Sequence, residues 1–187
     1  MMRCLHGSAL AVLAALAGCA AYVNVPDQGG DIAMHNPNLP TVGEVEAESL
    51  RAVLMTRPIN RQFQVVLPPG TRPAQYVAVT SQLGEQATWS FKAPPEEMPT
   101  VWVRQVRIRG GSAEVDVVVP DDPSRPTGPF KLMTARLKWS AFGGWRTHRV
   151  RSWRTGVRDT LPAVASEERA AESIVTRAMG PEPAERE

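Results

Sequence analysis

The chain has 187 residues, with 21 Lys or Arg against 19 Asp or Glu and a formal net charge of +2. That balance is too even to argue for a polyanion partner on overall charge, and an apolar content of 43% excludes a disordered chain. Only two cysteines (Cys4, Cys19) and three histidines (His6, His35, His148) are present, and no pair has metal-ligand spacing.

Met1 to His6 carries Arg3 and no acid, and Ala9 to Ala17 is an uninterrupted apolar run. A positive start, a short apolar run and small residues at its end describe a secretory signal. The run is too short to cross a bilayer, which takes about 20 apolar residues. A buried core helix is the alternative, but no polar residue alternates with the apolar ones.

The run ends in Leu16-Ala17-Gly18-Cys19. This resembles the bacterial lipobox. The resemblance covers about the first twenty residues and implies diacylglycerol on the Cys19 sulfur, cleavage before Cys19 and acylation of the new amino terminus. Residues 1–18 are then a signal peptide, and lipid on Cys19 holds an exported protein to a membrane. In such proteins Ala rather than Asp after the lipidated Cys, here Ala20, implies the periplasmic face of the outer membrane. Cys4 leaves with the signal, so the mature chain has neither a disulfide nor a free thiol.

Residues 19–40 contain Pro26, Gly29, Gly30, Asn36, Pro37, Asn38 and Pro40, the composition of a flexible linker. A flexible segment of that length reaches on the order of 25 Å. The alternative is a recognition strap that orders on a partner.

Residues 41–160 carry the signals of a folded domain. Thr41 and Glu44 have capping-box spacing, and the spacing predicts a helix from there to about Thr56, stopped by Pro58, with Ala47, Leu50, Val53 and Leu54 inward. Arg61 to Leu67 alternates as a half-buried strand. Thr71 can cap a second helix with Pro73 in its first turn, Tyr76, Val79 and Leu83 inward and Gly84 as its stop. Ala87, Trp89 and Phe91 alternate in a short strand.

Val101 to Arg109 and Ser112 to Val119 flank Gly110-Gly111, which suits a type I′ hairpin turn with both glycines at positive φ. The register then sets Ile108 against Ala113, Val106 against Val115, Trp102 against Val119, Arg107 against Glu114 and Gln105 against Asp116. Arg104 is the exception, falling on the apolar side. Phe130 to Trp139 is a further strand, and Ala141 to Gly144 turns it into Trp145 to Arg154. Residues 161–180 read as a C-terminal helix capped by Ser166 and ended at Gly180, and 181–187 as a disordered tail.

The expected fold class is α+β: an antiparallel sheet of about five to six strands, two helices packed on one face, and a C-terminal helix. The stretch from Thr100 to Trp153 is similar to cystatin-like and nuclear-transport-factor-like meanders, a resemblance that brings no functional residue with it.

No catalytic constellation, phosphate-cradling loop, metal site or cofactor site is legible. The least ordinary segment is the last strand, in which strict alternation puts Trp145, Arg149, Arg151 and Trp153 on one face. Arg104 lies on a neighbouring strand. Residues 100–159 hold twelve basic and five acidic residues, a local excess of seven positive charges. Arginine beside aromatic rings binds phosphates, carboxylates or sugars. Equally, such arginines solvate a sheet face and protect an edge strand. The leading expectation is a non-catalytic envelope lipoprotein with a structural or interaction domain and an envelope protein as partner. The alternative is a module binding lipid phosphate, lipopolysaccharide or a cell-wall polymer. Third is an enzyme with a site assembled from distant residues. Nucleic acid is not a partner expected of an exported protein.

Overall fold

The computed structural model describes residues 22–30, 32–92, 95, 97–125 and 129–157, the side chains of 154–157 excepted. The signal peptide, Cys19, the expected C-terminal helix and the tail lie outside the described residues. The fold is α+β, with a seven-stranded, mostly antiparallel sheet and two helices among the described residues. In chain order the elements are β1 (Tyr22–Val25), α1 (Pro40–Thr56), β2 (Phe63–Val66), α2 (Pro73–Thr80), β3 (Ala87–Thr88), β4 (Thr100–Arg109), β5 (Ser112–Pro120), β6 (Phe130–Ser140) and β7 (Gly144–Val157).

Alternation builds the sheet. Val103, Val106 and Ile108 of β4, Ala113, Val115 and Val117 of β5, and Met133, Ala135 and Leu137 of β6 are all buried in one core. Helix α1 covers that face, crossing β4 to β7, and inserts Val42, Val45, Leu50 and Val53. Helix α2 packs beside α1. The α1 start is set differently from the sequence expectation. Pro40 supplies the fixed φ of a first helical residue, the backbone of Leu39 accepts from Val42 N–H at 2.9 Å, and no side chain caps the end. Thr41 and Glu44 are exposed, so the capping box does not form. Thr71 likewise does not cap α2; its hydroxyl donates to the Pro68 carbonyl at 2.6 Å.

Strand β2 is parallel to both β3 and β4, whereas the expected sheet was wholly antiparallel. The reason is α2, which returns the chain to the starting end of β2 before β3 begins. The other departure is larger. The supposed linker is part of the fold from Tyr22 onward. β1 pairs antiparallel with β4, Tyr22 opposite Arg109 and Val25 opposite Val106, and Val23 and Val25 are fully buried. The stretch after β1 is tied down too. Asn24 N–H donates to the Met34 carbonyl, and His35 Nδ1 lies 2.8 Å from the Asn24 carbonyl oxygen. Asn38 bonds Gly70 and Arg72. A short β-prone run whose partner lies some eighty residues onward outweighs the proline and glycine around it.

β1 and β2 share one edge of β4: β2 takes Thr100 to Trp102, β1 takes Val106 to Arg109. Between them β4 bulges at Arg104, so Gln105 still meets Asp116 but Trp102 meets Val118, one position from the expected Val119. The bulge turns Arg104 out, and it is exposed. The remaining expected pairs of the β4–β5 hairpin are present.

The turn of that hairpin has positive φ (60°) at Gly110 and not at Gly111, the pattern of a type II′ rather than a type I′ turn. A Cβ at Gly111 would meet nothing within 4 Å. Gly110→Ala is therefore expected to cost roughly 1–2 kcal/mol, and Gly111→Ala close to nothing. Urea midpoints of the two variants check this; equal midpoints would mean that the turn is not strained at Gly110.

Candidate functional site

The second face of the sheet is not covered by α1 and carries polar side chains. They form a hydrogen-bonded chain across five strands. Gln105 Nε2 donates to Asn24 Oδ1 at 2.9 Å, and Arg107 donates to Gln105 Oε1 at 3.1 Å and to Asp116 Oδ2 at 2.9 Å. Thr134 donates to Asp116 Oδ1 at 2.6 Å, and Trp153 Nε1–H donates to Thr134 Oγ1 at 2.9 Å. Arg136 pairs with Glu114 at 2.9 Å beside it. Alternation in sequence, not proximity in sequence, brings these groups together, because each sits on the face of its strand turned away from α1. Nearly every donor and acceptor in this chain is used by the protein itself, so the lattice fixes register and offers little to a ligand.

The sequence-predicted group of Arg104, Trp145, Arg149, Arg151 and Trp153 does not assemble as expected. Strand β7 has an extra residue at His148: Thr147 faces Leu137 while Arg149 faces Arg136. The two halves of the strand therefore present opposite parities. Trp145 belongs to the buried core, 8% exposed. Arg149 and Arg151 are exposed on the open face. Trp153 joins them by plain alternation, two residues after Arg151, and the Arg151 guanidinium lies 4.0 Å from its ring centroid. Arg104 is three strands away, roughly 14 Å at sheet spacing. So Arg149, Arg151 and Trp153 come together, and Arg104 and Trp145 do not join them. The bulge has a visible cause in α1: Glu48 Oε1 accepts the Thr147 N–H at 3.3 Å, drawing β7 toward the helix at that point.

The open face near β6 and β7 is strongly cationic. Residues 130–157 contain seven Lys or Arg and no Asp or Glu. Two cation pairs stand directly opposite each other, Lys138 with Arg146 and Arg136 with Arg149. Like charges in directly opposed positions destabilise a sheet. Sequence reasoning placed the charge here but not its pairing, which needs the register.

Two features were not singled out in the sequence. Trp139 lies at the β6 end and is 52% exposed; Phe142, at the tip of the β6–β7 hairpin, is fully exposed. Glu46 of α1 is fully buried, and neither carboxyl oxygen makes a well-formed hydrogen bond among the described residues, the Gln75 amide being near without good geometry. Gln75 of α2 lies across α1 at Gly43, where a Cβ would come within 2.2 Å of its amide nitrogen. Burial pushes the Glu46 carboxyl well above its ordinary value of 4.5, and Gln75 offsets only part of this. Glu46 has no exposed surface and is packed between the two helices. Among the described residues no group of three His, Cys, Asp or Glu is placed to hold a metal ion.

The sign of the Glu46 effect follows from linkage. The folded state holds its proton more tightly than the unfolded state, so its contribution is fully present below about pH 4.5 and is lost as pH rises toward the folded-state value. Glu46→Gln cannot ionise. Its stability relative to the native chain should therefore rise from acid pH to about pH 8, read as the difference in urea midpoint at each pH. Parallel curves would show that Glu46 stays charged in the fold.

No protein-family profile, curated protein or solved structure matches this chain. The comparisons thus point to no catalytic family, and the likeness to cystatin-like and nuclear-transport-factor-like meanders rests on sequence pattern alone.

Proposed function

We propose that this chain is an exported lipoprotein, anchored through lipid on Cys19 at the periplasmic face of the outer membrane, whose α+β domain works by interaction rather than catalysis. The observation that carries the reading is the lipobox Leu16-Ala17-Gly18-Cys19 at the end of a short apolar run. The described structure supports the division of labour. Among the described residues no helix is long and apolar enough to cross a membrane, and the open face is an internally bonded lattice with a cationic margin. Lipid chains supply about 0.8 kcal/mol per buried methylene, so several chains on one cysteine hold a domain without any spanning segment.

A second reading is favoured by the opposed pairs Lys138–Arg146 and Arg136–Arg149. Arg136 is already paired with Glu114, which leaves Arg149, with Arg151, Lys138 and Arg146, as the charges turned toward an anionic component of the envelope, Arg149 and Arg151 as bidentate donors.

Cys19→Ser is expected to abolish incorporation of a fatty-acid label and to leave the uncleaved precursor; normal processing and membrane retention of the variant would overturn the anchor. Arg149→Gln/Arg151→Gln, in residues 19–187 carrying Cys19→Ser, is expected to lower retention on anionic envelope polymers severalfold at low salt. Equal retention of both proteins would remove the second reading.

A further inference from the structure

We infer that one end of the sheet is a membrane-facing surface, in which the β6–β7 hairpin tip enters an anionic lipid interface beside the lipid anchor. The inference rests on the proposed lipidation of Cys19 for its orientation, and on the sheet register for everything else.

The register places the relevant groups in one row. Tyr22 pairs with Arg109, Arg109 with Ser112, Ser112 with Lys138, and Lys138 with Arg146. The first residue of β1, the β4–β5 turn and the β6–β7 tip therefore lie at the same end of the sheet. The two turns are joined directly, since Trp139 N–H donates to the Gly111 carbonyl at 2.9 Å. From Tyr22 to Arg146 the row spans four strand spacings, roughly 19 Å. Cys19 is three residues before Tyr22, a reach of at most about 11 Å even when extended. A lipid on Cys19 thus brings this end of the sheet, and no other, to the headgroups.

The chemistry of that end matches such a surface. Phe142 is fully exposed and Trp139 is half exposed, two large aromatic rings at one hairpin tip. Aromatic rings at headgroup depth are favoured because their apolar body and polar edge each find a matching layer. Around them stand Arg109, Lys138 and Arg146, all exposed. Arg109 is held in place by Tyr22, whose hydroxyl accepts its guanidinium at 3.1 Å and whose ring lies 5.0 Å beneath it. No acid lies between residues 130 and 157 to oppose an anionic surface. The opposite end of the sheet carries Asp121, Asp122 and the β5–β6 connection instead.

The test uses the full chain, expressed and processed by a bacterial host, and reconstituted into vesicles of phosphatidylethanolamine with phosphatidylglycerol. Phe142→Cys carries a small fluorophore in one preparation and Ser124→Cys, exposed at the opposite end, carries it in another. Quenching by nitroxide-labelled lipid is expected at position 142 and not at position 124. Lys138→Gln/Arg146→Gln should weaken it by roughly tenfold in lipid titration, and replacing phosphatidylglycerol by phosphatidylcholine should do the same. A label at 142 quenched no more than one at 124 would overturn the inference and leave the tip to a protein partner. The mass of the N-terminal peptide reports the anchor separately. If Cys19 carries no lipid, the anchor reading fails, and binding of that same protein to anionic vesicles still decides the tip: quenching at 142 supports it, no binding overturns it.

Discussion

Strand β4 is the element on which the rest of the domain is hung. Among the described residues it alone pairs with three strands, and one of its edges is divided between β2, parallel, and β1, antiparallel. Two partners of opposite direction cannot both continue the same pleat without a break, and the bulge at Arg104 supplies it. From that division follow the switch from parallel to antiparallel pairing across the sheet and the position at which the chain enters the domain. The seat of α1, over the face made by Val103, Val106 and Ile108, follows as well.

Opposite faces of the same strands solve different problems. Under α1 the side chains are aliphatic and the contacts are non-directional. On the open face specificity is directional: a chain of hydrogen bonds from Asn24 to Trp153 fastens β1, β4, β5, β6 and β7 in one register. A slip of one residue in any of these strands would turn its share of the lattice into the core. The aromatic trio of Tyr76, Trp89 and Phe91, with ring centroids 5.2 to 5.6 Å apart, closes the far margin of the helix layer, where the two-residue β3 has little backbone pairing.

Local signals were legible and long-range ones were not. Gly110-Gly111 between two alternating runs places the hairpin and most of its pairs, because everything needed is within about twenty residues. The two helices were visible from apolar spacing and from Pro58, Pro73 and Gly84, though their starts were assigned to side-chain caps that do not form. β1 was hidden because Tyr22-Val23-Asn24-Val25 sits among prolines and glycines and its partner is far along the chain. The Arg/Trp group was misplaced for a different reason. Alternation in β7 is broken at His148 by a bond from Glu48 on α1, and no pattern within β7 records a contact with a helix a hundred residues earlier. Glu46 was equally hidden, since a charged residue in a helix is read as solvated until a second helix is seen to cover it.

Among the described residues, the outermost strand, β7, has no strand neighbour on one side of its backbone. An open strand edge is a template on which a second copy can add a strand. Here an antiparallel approach of two such strands would bring rows of guanidinium groups against each other, and the Thr147 amide beside the bulge already donates to Glu48. The same charges that face outward thus disfavour strand-to-strand pairing of two copies along this edge.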